Sequence, residues 1–357
     1  MDNNVVILAA AGSRKTEHIV NSALGVTNGQ VLITTYINEN QRQIINRIEQ
    51  KNGFVPANIT VMGWFTFLIS HCAKPYQRAI TNAPFLISGL NFKGSRNRYV
   101  LKSDVAYFID RNGEIYRDGV SDFVTMLNNK TGGAVISRLE RVFTHVFVDE
   151  VQDLVGYDLE VLDLLFASRI TLMLVGDPRQ HTLATNIGPK NKKYRGVRLM
   201  EWFEERSSNC MVEERTDSYR CNQSICDFAD AIFPNLPPTK SVGVTQTNHD
   251  GIFQICITDI EKYLATYDSV KLLRYDKTSD TKGLEAINIG VSKGSTYDRV
   301  MIFPTKPMLQ YLVARDSNKL KAPEKLYVAV TRARFSVAFV VRSPLSIPLP
   351  LYEPNQR

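Results

Sequence analysis

Lysine, hydroxyl and carboxylate side chains beside apolar runs point to phosphate chemistry. Lys15 and Thr16 follow the small residues 9–13 and Arg14, and they open a segment with helical periodicity. The predicted order is a strand, a loop of small residues, Lys-Thr and a helix. This order would direct the loop amides and the helix N-terminus at one anion. The match to a phosphate loop is incomplete, because Ala10 and Arg14 stand where the usual pattern has glycine. Taken alone, the stretch is explained equally well by chance.

Two adjacent acids supply the remaining parts of such a reaction. Asp149 and Glu150 directly follow the apolar run 146–148. Phosphoryl transfer from a nucleotide to water needs a lysine on the phosphates, oxygen ligands for Mg²⁺ and a group that orients the water. Thr16 and Asp149 are the candidate magnesium ligands, and Glu150 is the candidate for polarising the attacking water. A solvated strand end or a helix N-cap is the alternative explanation for the two acids.

An alternation of strand and helix patterns would position these residues. It predicts an α/β fold with parallel sheets, in which ligands bind at the carboxyl ends of the strands. The first series of strands includes 5–10, 30–35, 58–62, 146–148 and 170–175, and a second series runs from Cys210 to Val341. We predict a first domain over 1–183 with a small insertion at about 74–142, a second domain over 184–345 and a Pro-rich tail over 346–357.

Composition favours a polyanionic partner over a membrane. The 357-residue chain carries a formal charge of +7 with a pI near 9.0, and its hydrophobic content of 44% is that of an ordinary globular protein. No apolar run approaches the ~20 residues of a membrane span, and no signal pattern opens the chain, so we expect a cytoplasmic protein. The five cysteines form no Cys-x-x-Cys pair, which favours buried free thiols.

Two basic stretches lack acidic residues. The first, inside the insertion, contains Lys93, Arg96, Arg98 and Lys102, and it is either a solvated surface or a contact for nucleic-acid phosphates. The second is the loop 188–198, in which the strongest candidates for backbone contacts are Lys190, Lys192, Lys193 and Arg195. Between them, Asn112-Gly113 indicates a hairpin turn.

Seven sequence blocks together carry a family resemblance. In chain order they read AGSRKT (11–16), TTYIN (34–38), VDEVQD (148–153), VGDPRQ (175–180), SYR (218–220), SKGSTYDRV (292–300) and YVAVTRAR (327–334). In their identity and order they resemble UvrD/Rep-type superfamily 1 DNA helicases. The resemblance implies two RecA-like parallel-sheet domains of the P-loop NTPase fold, with a small insertion in the first.

The resemblance also assigns residues to ATP and Mg²⁺. It places Tyr219 on the adenine, Glu150 at the catalytic water and Gln180 as sensor of the γ phosphate. Arg220 and Arg332 would be arginines that reach the γ phosphate; the alternatives are a surface cation for Arg220 and a helix C-terminal charge for Arg332. The nucleotide-binding stretch would be Ala11, Gly12, Ser13, Arg14, Lys15 and Thr16, with Thr16 and Asp149 as metal ligands.

For single-stranded DNA the resemblance implies contacts in both domains. Aromatic rings stack on any base and basic loops follow the backbone, which suits sequence-independent binding. Trp64 and Phe65 are explained equally well as core residues. The remaining candidates in the first domain are Thr35 and Tyr36, and those in the second are Ser292, Lys293 and Thr296.

The chain departs from the family pattern in four ways. First, Arg14 replaces a loop glycine, and second, the glutamine block before the first strand is missing. Third, two DNA-binding blocks differ: Thr296 replaces a glutamate, and His-Thr-Leu-Ala-Thr-Asn follows Gln180 in place of an aromatic-arginine block. Fourth, the large accessory insertions are absent or reduced.

The leading hypothesis is an ATP-dependent translocase or helicase that is stimulated by single-stranded DNA or DNA junctions and moves 3′ to 5′. It would act in repair, recombination or phage defence, with a nuclease or other protein partner. The alternative, motivated by Arg14, is a DNA-binding regulatory subunit that binds nucleotide with little or no turnover. A motor on RNA is a third option.

Overall fold

The chain folds into two compact units. A computed structural model describes residues 4–80, 87–97, 99–186 and 188–354. The first unit contains the chain up to Leu8 and Lys15–Glu214, and the second contains Ala9–Arg14 and the chain from Arg215 onwards. The short loop Ala9–Arg14 therefore packs with the second unit, although its sequence neighbours on both sides belong to the first.

The first unit is built on a six-stranded sheet of order β3-β2-β6-β7-β1-β8. Its strands are β1 Val5–Ala9, β2 Val31–Thr35, β3 Ile59–Gly63, β4 Gly89–Asn91, β5 Glu114–Tyr116, β6 His145–Asp149, β7 Thr171–Gly176 and β8 Met211–Arg215. Its α-helices are α1 Lys15–Leu24, α2 Asn38–Asn52, α3 Trp64–Phe67, α4 Val120–Lys130, α5 Ala134–Val142, α6 Tyr157–Phe166 and α7 Leu199–Glu204.

Strand composition explains why this sheet is buried on both faces. The five strands from β3 to β1 are parallel. The β2 sequence VLITT is rich in β-branched residues, and all five of its residues are buried. Such runs suit strands that helices cover on both sides. The parallel α/β architecture predicted from the strand and helix alternation is confirmed.

Residues 184–214 pack in the first unit, whereas the sequence analysis placed them in the second domain. The reason is α7, whose Trp202 and Phe203 are fully buried in the first core. Burial of large apolar side chains of this kind stabilises a fold by roughly 1.5–3 kcal/mol each. The strand expected to open the second domain is β8, which lies at the edge of the first sheet beside β1.

The insertion supplies a two-stranded sheet of β4 and β5 and the helices α4 and α5. The hairpin turn predicted at Asn112-Gly113 is observed: Gly113 has a φ of 78°, and an antiparallel bridge joins Ile109 to Ile115. Two of the three cations that the structure describes in its basic stretch are paired, since Arg96 contacts Asp118 and Asp122 at 3.3 and 3.0 Å and Lys102 contacts Asp122 at 2.6 Å, whereas Lys93 is exposed. Arg98 lies outside the described residues.

The second unit is built on a five-stranded parallel sheet of order β11-β15-β14-β12-β13. Its strands are β9 Asp217–Ser218, β10 Lys240–Ser241, β11 Gly251–Cys256, β12 Val270–Arg274, β13 Ile287–Asn288, β14 Tyr297–Phe303 and β15 Ala333–Val341. Its α-helices are α8 Gln223–Asp230, α9 Ile260–Thr266, α10 Lys306–Ala314 and α11 Pro323–Val330.

The interior strand β15, which lies between β11 and β14, shows how both faces of this sheet are filled. Val337 and Phe339 pack into one buried cluster, and Ala338 and Val340 pack into another. Successive strand residues point to opposite faces, so a continuous apolar run requires cover on both sides.

The described part of the Pro-rich tail, 346–354, contacts β11, with Tyr352 buried and its N–H donating to Gln254 O at 2.8 Å. All five cysteines are free thiols, and four of them are buried. In the part of the chain that the structure describes, no helix is both long enough and apolar enough to cross a bilayer.

Candidate functional site

Thr16 and Asp149 meet in the first unit. Thr16 stands in the first turn of α1, and Asp149 is the last residue of β6. The Thr16 Oγ1 hydroxyl donates to Asp149 Oδ2 at 3.0 Å. Burial and the adjacent Glu150 carboxylate raise the pKa of Asp149, whereas the Thr16 hydrogen bond and the Lys15 ammonium act in the opposite direction. The hydroxyl and the carboxylate that were predicted as magnesium ligands therefore contact each other. A positive charge beside Asp149 would favour the ionised form of its carboxyl group.

Glu150 is held in an unusual backbone conformation. Its φ of 59° is in the left-handed region, which a residue with a side chain seldom adopts. Its N–H donates to Asp149 Oδ1 at 3.0 Å, and Gln152 Nε2 donates to Glu150 Oε2. Such local strain concentrates at functional sites, where the surroundings fix the geometry. Here the surroundings fix the direction of one carboxylate.

Gln152 connects this carboxylate to the end of the neighbouring strand. Its Oε1 accepts from Asp177 N at 3.1 Å, directly after β7. A Cβ at Gly176 would lie 2.4 Å from that oxygen, so only glycine leaves room for this contact. Asp177 in turn accepts from Gln180 Nε2 at 2.9 Å. One hydrogen-bonded chain therefore runs from Glu150 to Gln180, and it orients the two side chains predicted at the catalytic water and the γ phosphate.

Asp177 stays ionised in this chain despite being fully buried. Burial alone would raise the pKa of its carboxyl, but the Arg179 guanidinium and the Lys15 ammonium bring the pKa below its usual value. Arg179 Nε donates to Asp177 Oδ1 at 3.0 Å. A carboxylate that accepts from Gln180 fixes which end of that amide faces it.

The loop Ala9–Arg14 is attached to the second unit by backbone contacts. Ala10 N donates to Arg215 O at 2.9 Å, and Ala11 N donates to the Tyr327 hydroxyl at 3.3 Å. Gly12 has a φ of 81°, and a Cβ there would lie 2.6 Å from Ser218 Oγ, so glycine is required. The buried Ser13 hydroxyl has no protein hydrogen-bond partner, which leaves it available to a phosphate oxygen.

Arg14 adopts the conformation that glycine normally supplies. Its φ is 59°, and its guanidinium carbon lies 4.0 Å from the centroid of the Tyr219 ring. This distance is that of a cation–π contact. Tyr219 is half-exposed, and its N–H donates to Gly12 O at 3.0 Å. The arginine side chain thus lies over the ring to which the resemblance assigned the adenine.

The two predicted arginines contact backbone carbonyls of the second unit. Arg220 Nη1 donates to Thr331 O at 3.1 Å. Arg332 is almost fully buried, with Nε donating to Val328 O and Nη1 to Ser295 O, both at 3.2 Å. The contact between Arg332 and the Val328 carbonyl, near the end of α11, corresponds to the alternative that Arg332 is a helix C-terminal charge. The same contacts fix the position of the guanidinium.

The donor set suits Mg²⁺ held together with a nucleotide. The described residues contain no cluster of three or more His, Cys, Asp or Glu that could hold a metal alone. Magnesium in phosphate-transferring sites commonly takes only one or two protein oxygens, with phosphates and waters as its other ligands. Thr16 and Asp149 provide two such oxygens in contact with each other, so they fit this group.

The residues predicted to contact a nucleic-acid strand differ in exposure. Trp64 is 1% exposed, and its indole N–H donates to the buried Asp158 Oδ1 at 2.7 Å. Phe65 is 8% exposed. Both rings therefore lie in the core, which was the alternative to strand binding, because a ring enclosed by protein presents no face to a base. Thr35 is buried as well, and Tyr36 is half-buried.

The basic loop 188–198 is largely paired within the first unit. Lys190 contacts Glu160 at 3.1 Å, and Lys193 contacts Glu205 at 3.7 Å. Arg195 Nη2 donates to the carbonyls of Asn186 and Gly188. Lys192 is exposed at the surface. Ion pairs of this kind are weak at a surface and exchange readily for phosphate contacts.

The candidates in the second unit also divide by burial. Ser292 is fully buried, and its hydroxyl donates to Ile289 O at 2.8 Å. Lys293 is buried, and Thr296 is exposed just before β14. Of these three side chains, only Thr296 is open to solvent.

Three contributors to the site escaped the sequence reasoning. Gln152 and Asp177 were each noted only as part of a sequence block; the structure shows that both orient catalytic candidates. Tyr327, which accepts from Ala11 N, lies in the YVAVTRAR block but had no assigned role. The blocks contained the signal for all three, but spacing alone does not reveal which side chains pair.

Comparison with known proteins gives a family and a set of similar folds. Residues 95–341, more than half of the chain, match the family described as the viral superfamily 1 RNA helicase core domain. No curated protein matches the chain significantly.

The solved structures that it resembles include arterivirus nonstructural protein 10 (helicase), with 16% identity and a TM-score of 0.47 over 95% of this chain and 59% of that one. The same helicase in complex with DNA has 15% identity and a TM-score of 0.48 over 95% of this chain and 61% of that one. The PRRSV helicase has 18% identity and a TM-score of 0.46 over 95% of this chain and 52% of that one. The chain thus spans little more than half the length of these proteins.

Proposed function

Because the chain belongs to the family of viral superfamily 1 RNA helicase core domains, we propose that it is a motor driven by nucleoside triphosphate hydrolysis that moves along single-stranded nucleic acid. The superfamily predicted from the seven blocks is confirmed, whereas the family that matches is not the UvrD/Rep type. The UvrD/Rep assignment, the 3′-to-5′ direction and a role in repair or phage defence stay proposals. The family description favours RNA as the strand, and the UvrD/Rep-type blocks favour DNA.

The observation that carries this proposal is the hydrogen bond between Thr16 and Asp149 beside a fixed Glu150 carboxylate. We propose ATP as the nucleotide, with Lys15 on its β and γ phosphates. Thr16 and Asp149 would hold Mg²⁺, which neutralises phosphate charge when it is bound. The Ser13 hydroxyl would donate to a phosphate oxygen.

In the hydrolytic step, Glu150 accepts a proton from the attacking water as the new bond to phosphorus forms and the bond to the leaving diphosphate breaks. Gln152 directs the Glu150 carboxylate, and Asp177 directs Gln180. Arg220 and Arg332 would stabilise the negative charge of the transition state. Planar guanidinium groups suit that role because they present several donors in a fixed geometry.

Phosphate release by the purified protein tests this proposal. We expect ATP hydrolysis that single-stranded RNA or DNA stimulates, and a fall of about 10²- to 10⁴-fold in Glu150→Gln, which keeps the shape of the side chain but cannot accept the proton. Glu39→Gln, an exposed acid at the start of α2, is the matched control and should leave the rate unchanged. Absence of strand-stimulated release, or full activity in Glu150→Gln, would rule out the motor. Competition between RNA and DNA oligomers in the same assay identifies the preferred strand.

A regulatory subunit that binds nucleotide without turnover is the second candidate, and the position of Arg14 over Tyr219 favours it. It predicts measurable nucleotide binding with no release of phosphate. The intact Lys15, Asp149 and Glu150 argue for turnover.

Directionality is tested with duplexes that carry a 3′ or a 5′ single-stranded tail. Unaided unwinding of a long duplex would argue against a required nuclease partner.

A further inference from the structure

A run of aromatic rings leads from the core of the first unit to its surface. The rings of Tyr36 and Phe65, which follow β2 and β3, meet edge to face at 5.7 Å and 78°. Phe65 meets Phe92 of the insertion in the same way, at 6.5 Å and 77°. Phe65 is 8% exposed, but Phe92 is 62% exposed. The insertion therefore adds an exposed ring to an aromatic pair, the half-buried Tyr36 and the buried Phe65, at the carboxyl ends of two parallel strands.

The turn that carries Phe92 is well fixed. Strand β4 ends at Asn91, whose Oδ1 accepts from Lys93 N and Gly94 N at 3.1 and 2.6 Å. Asn91 Nδ2 donates to Asp110 Oδ2 at 2.7 Å. A Cβ at Gly94 would lie 2.8 Å from Asn91 Nδ2, so the turn has no space for a side chain there. Phe92 is thus presented by a constrained turn, although exposure of a phenyl ring to water does not stabilise the fold.

We propose that Phe92 stacks on a base of the bound single strand, an inference that rests on the proposed function. Every base has a π face, so a ring in this position contributes affinity without sequence preference. The enclosed Trp64 and Phe65 cannot offer a face, and Phe65 instead supports Phe92 from below. Single-stranded nucleic acid is the occupant that fits, because a largely exposed ring that packs edge to face on a buried one leaves area for a stack of one base.

The ring of Phe92 carries no charge, so its own contribution should be stacking and not phosphate attraction. Lys93 beside it is exposed. Arg96 and Lys102 are paired with Asp118 and Asp122 within the insertion. Since salt dependence counts phosphates that are neutralised, loss of the Phe92 ring should change affinity and leave the salt slope unchanged.

The test is fluorescence anisotropy with labelled oligo-dT and oligo-U and with an abasic oligomer of the same length. Phe92→Ala should weaken binding to the two oligomers with bases by about 5- to 100-fold, the usual effect of one lost stack. It should bind the abasic oligomer as the wild type does, and Phe92→Trp should retain full affinity. Phe54→Ala is the matched control, because Phe54 is 64% exposed in the same unit and should contribute nothing. Nucleotide hydrolysis without a strand should be unchanged in all three variants.

Three outcomes would overturn the inference alone: wild-type affinity in Phe92→Ala, an equal loss for the abasic oligomer, or the same loss in Phe54→Ala. Failure of the wild type to bind any single strand would instead overturn the proposed function and this inference together.

Discussion

The guanidinium carbon of Arg14 lies 4.0 Å from the centroid of the Tyr219 ring. The loop therefore accommodates an arginine in a glycine position by a left-handed backbone and a side chain that is directed onto a tyrosine. This contact places a cation on the ring to which the helicase resemblance assigns the adenine. We therefore predict that the nucleotide and Arg14 compete for one aromatic face.

Arg14→Gly tests that competition. We expect the KM for ATP to fall, by about 3- to 10-fold, because a cation–π contact of roughly 0.5–1 kcal/mol no longer has to be displaced and the loop regains its unstrained φ. The measurement is steady-state hydrolysis with saturating single strand.

Arg315→Gly is the matched control for Arg14→Gly. Arg315, which directly follows α10, also has a left-handed φ, 54°. Its guanidinium carbon lies 4.9 Å from the ring centroid of Phe228. Its replacement should leave the KM unchanged. An unchanged KM in Arg14→Gly would contradict competition, and a raised KM would mean that Arg14 itself holds the nucleotide.

Gln152→Glu tests whether Gln152 positions Glu150. The substitution keeps an acceptor for Asp177 N but removes the donor to Glu150 and adds a like charge. We expect kcat to fall by about 10-fold with little change in KM, which is typical for the loss of a group that orients a catalytic side chain. The like charge should also raise the pKa of Glu150, so the acid limb of the pH–rate profile should move to higher pH. A purely structural role would lower the unfolding midpoint and leave that limb in place.

Trp64→Phe distinguishes the core role of this ring from contact with a strand. The variant removes the donor to the buried Asp158, which keeps Ser121, Thr185 and Val155 N as partners. We expect the free energy of unfolding to fall by about 1–3 kcal/mol in urea titration, because a buried acceptor loses one hydrogen bond. Affinity for oligomers should stay at the wild-type value. Weakened binding without loss of stability would return Trp64 to the strand interface.

His249 predicts a pH-dependent loss of stability. Burial lowers its pKa to about 4, and Arg299 acts in the same direction. The unfolded chain takes up the proton near pH 6.5, so between about 6.5 and 4 it binds more protons than the folded chain. The free energy of unfolding should therefore fall as pH falls through this window, by up to about 3 kcal/mol, and His249 should contribute no slope above it.

The measurement for His249 is urea unfolding across that window. His249→Phe should remove this part of the slope. Tyr263→Phe deletes the hydroxyl 3.1 Å from His249 Nε2 but keeps the imidazole, so it should retain the slope. Identical slopes in the wild type and His249→Phe would contradict the assignment.

The architecture could be predicted from the sequence because buried parallel strands are continuous apolar runs in it. The sequence also brought Thr16 and Asp149 to one edge of the sheet, since Thr16 opens the helix that follows β1 and Asp149 ends β6. It did not predict that β8 joins the first sheet, because a short, largely exposed edge strand carries no mark of its partner. The burial of Trp64 was undecided for a related reason: the acceptor of its indole, Asp158, is 94 positions away.

The attachment of the loop Ala9–Arg14 has a consequence for how the chain is made. Tyr327, whose hydroxyl accepts from Ala11 N, is synthesised 316 positions after Ala11. At ordinary rates of synthesis that interval lasts on the order of half a minute. During it, the loop Ala9–Arg14 lacks this partner. The loop is therefore completed only after Tyr327 has been made, and a nascent chain that stops before Tyr327 lacks this hydrogen bond.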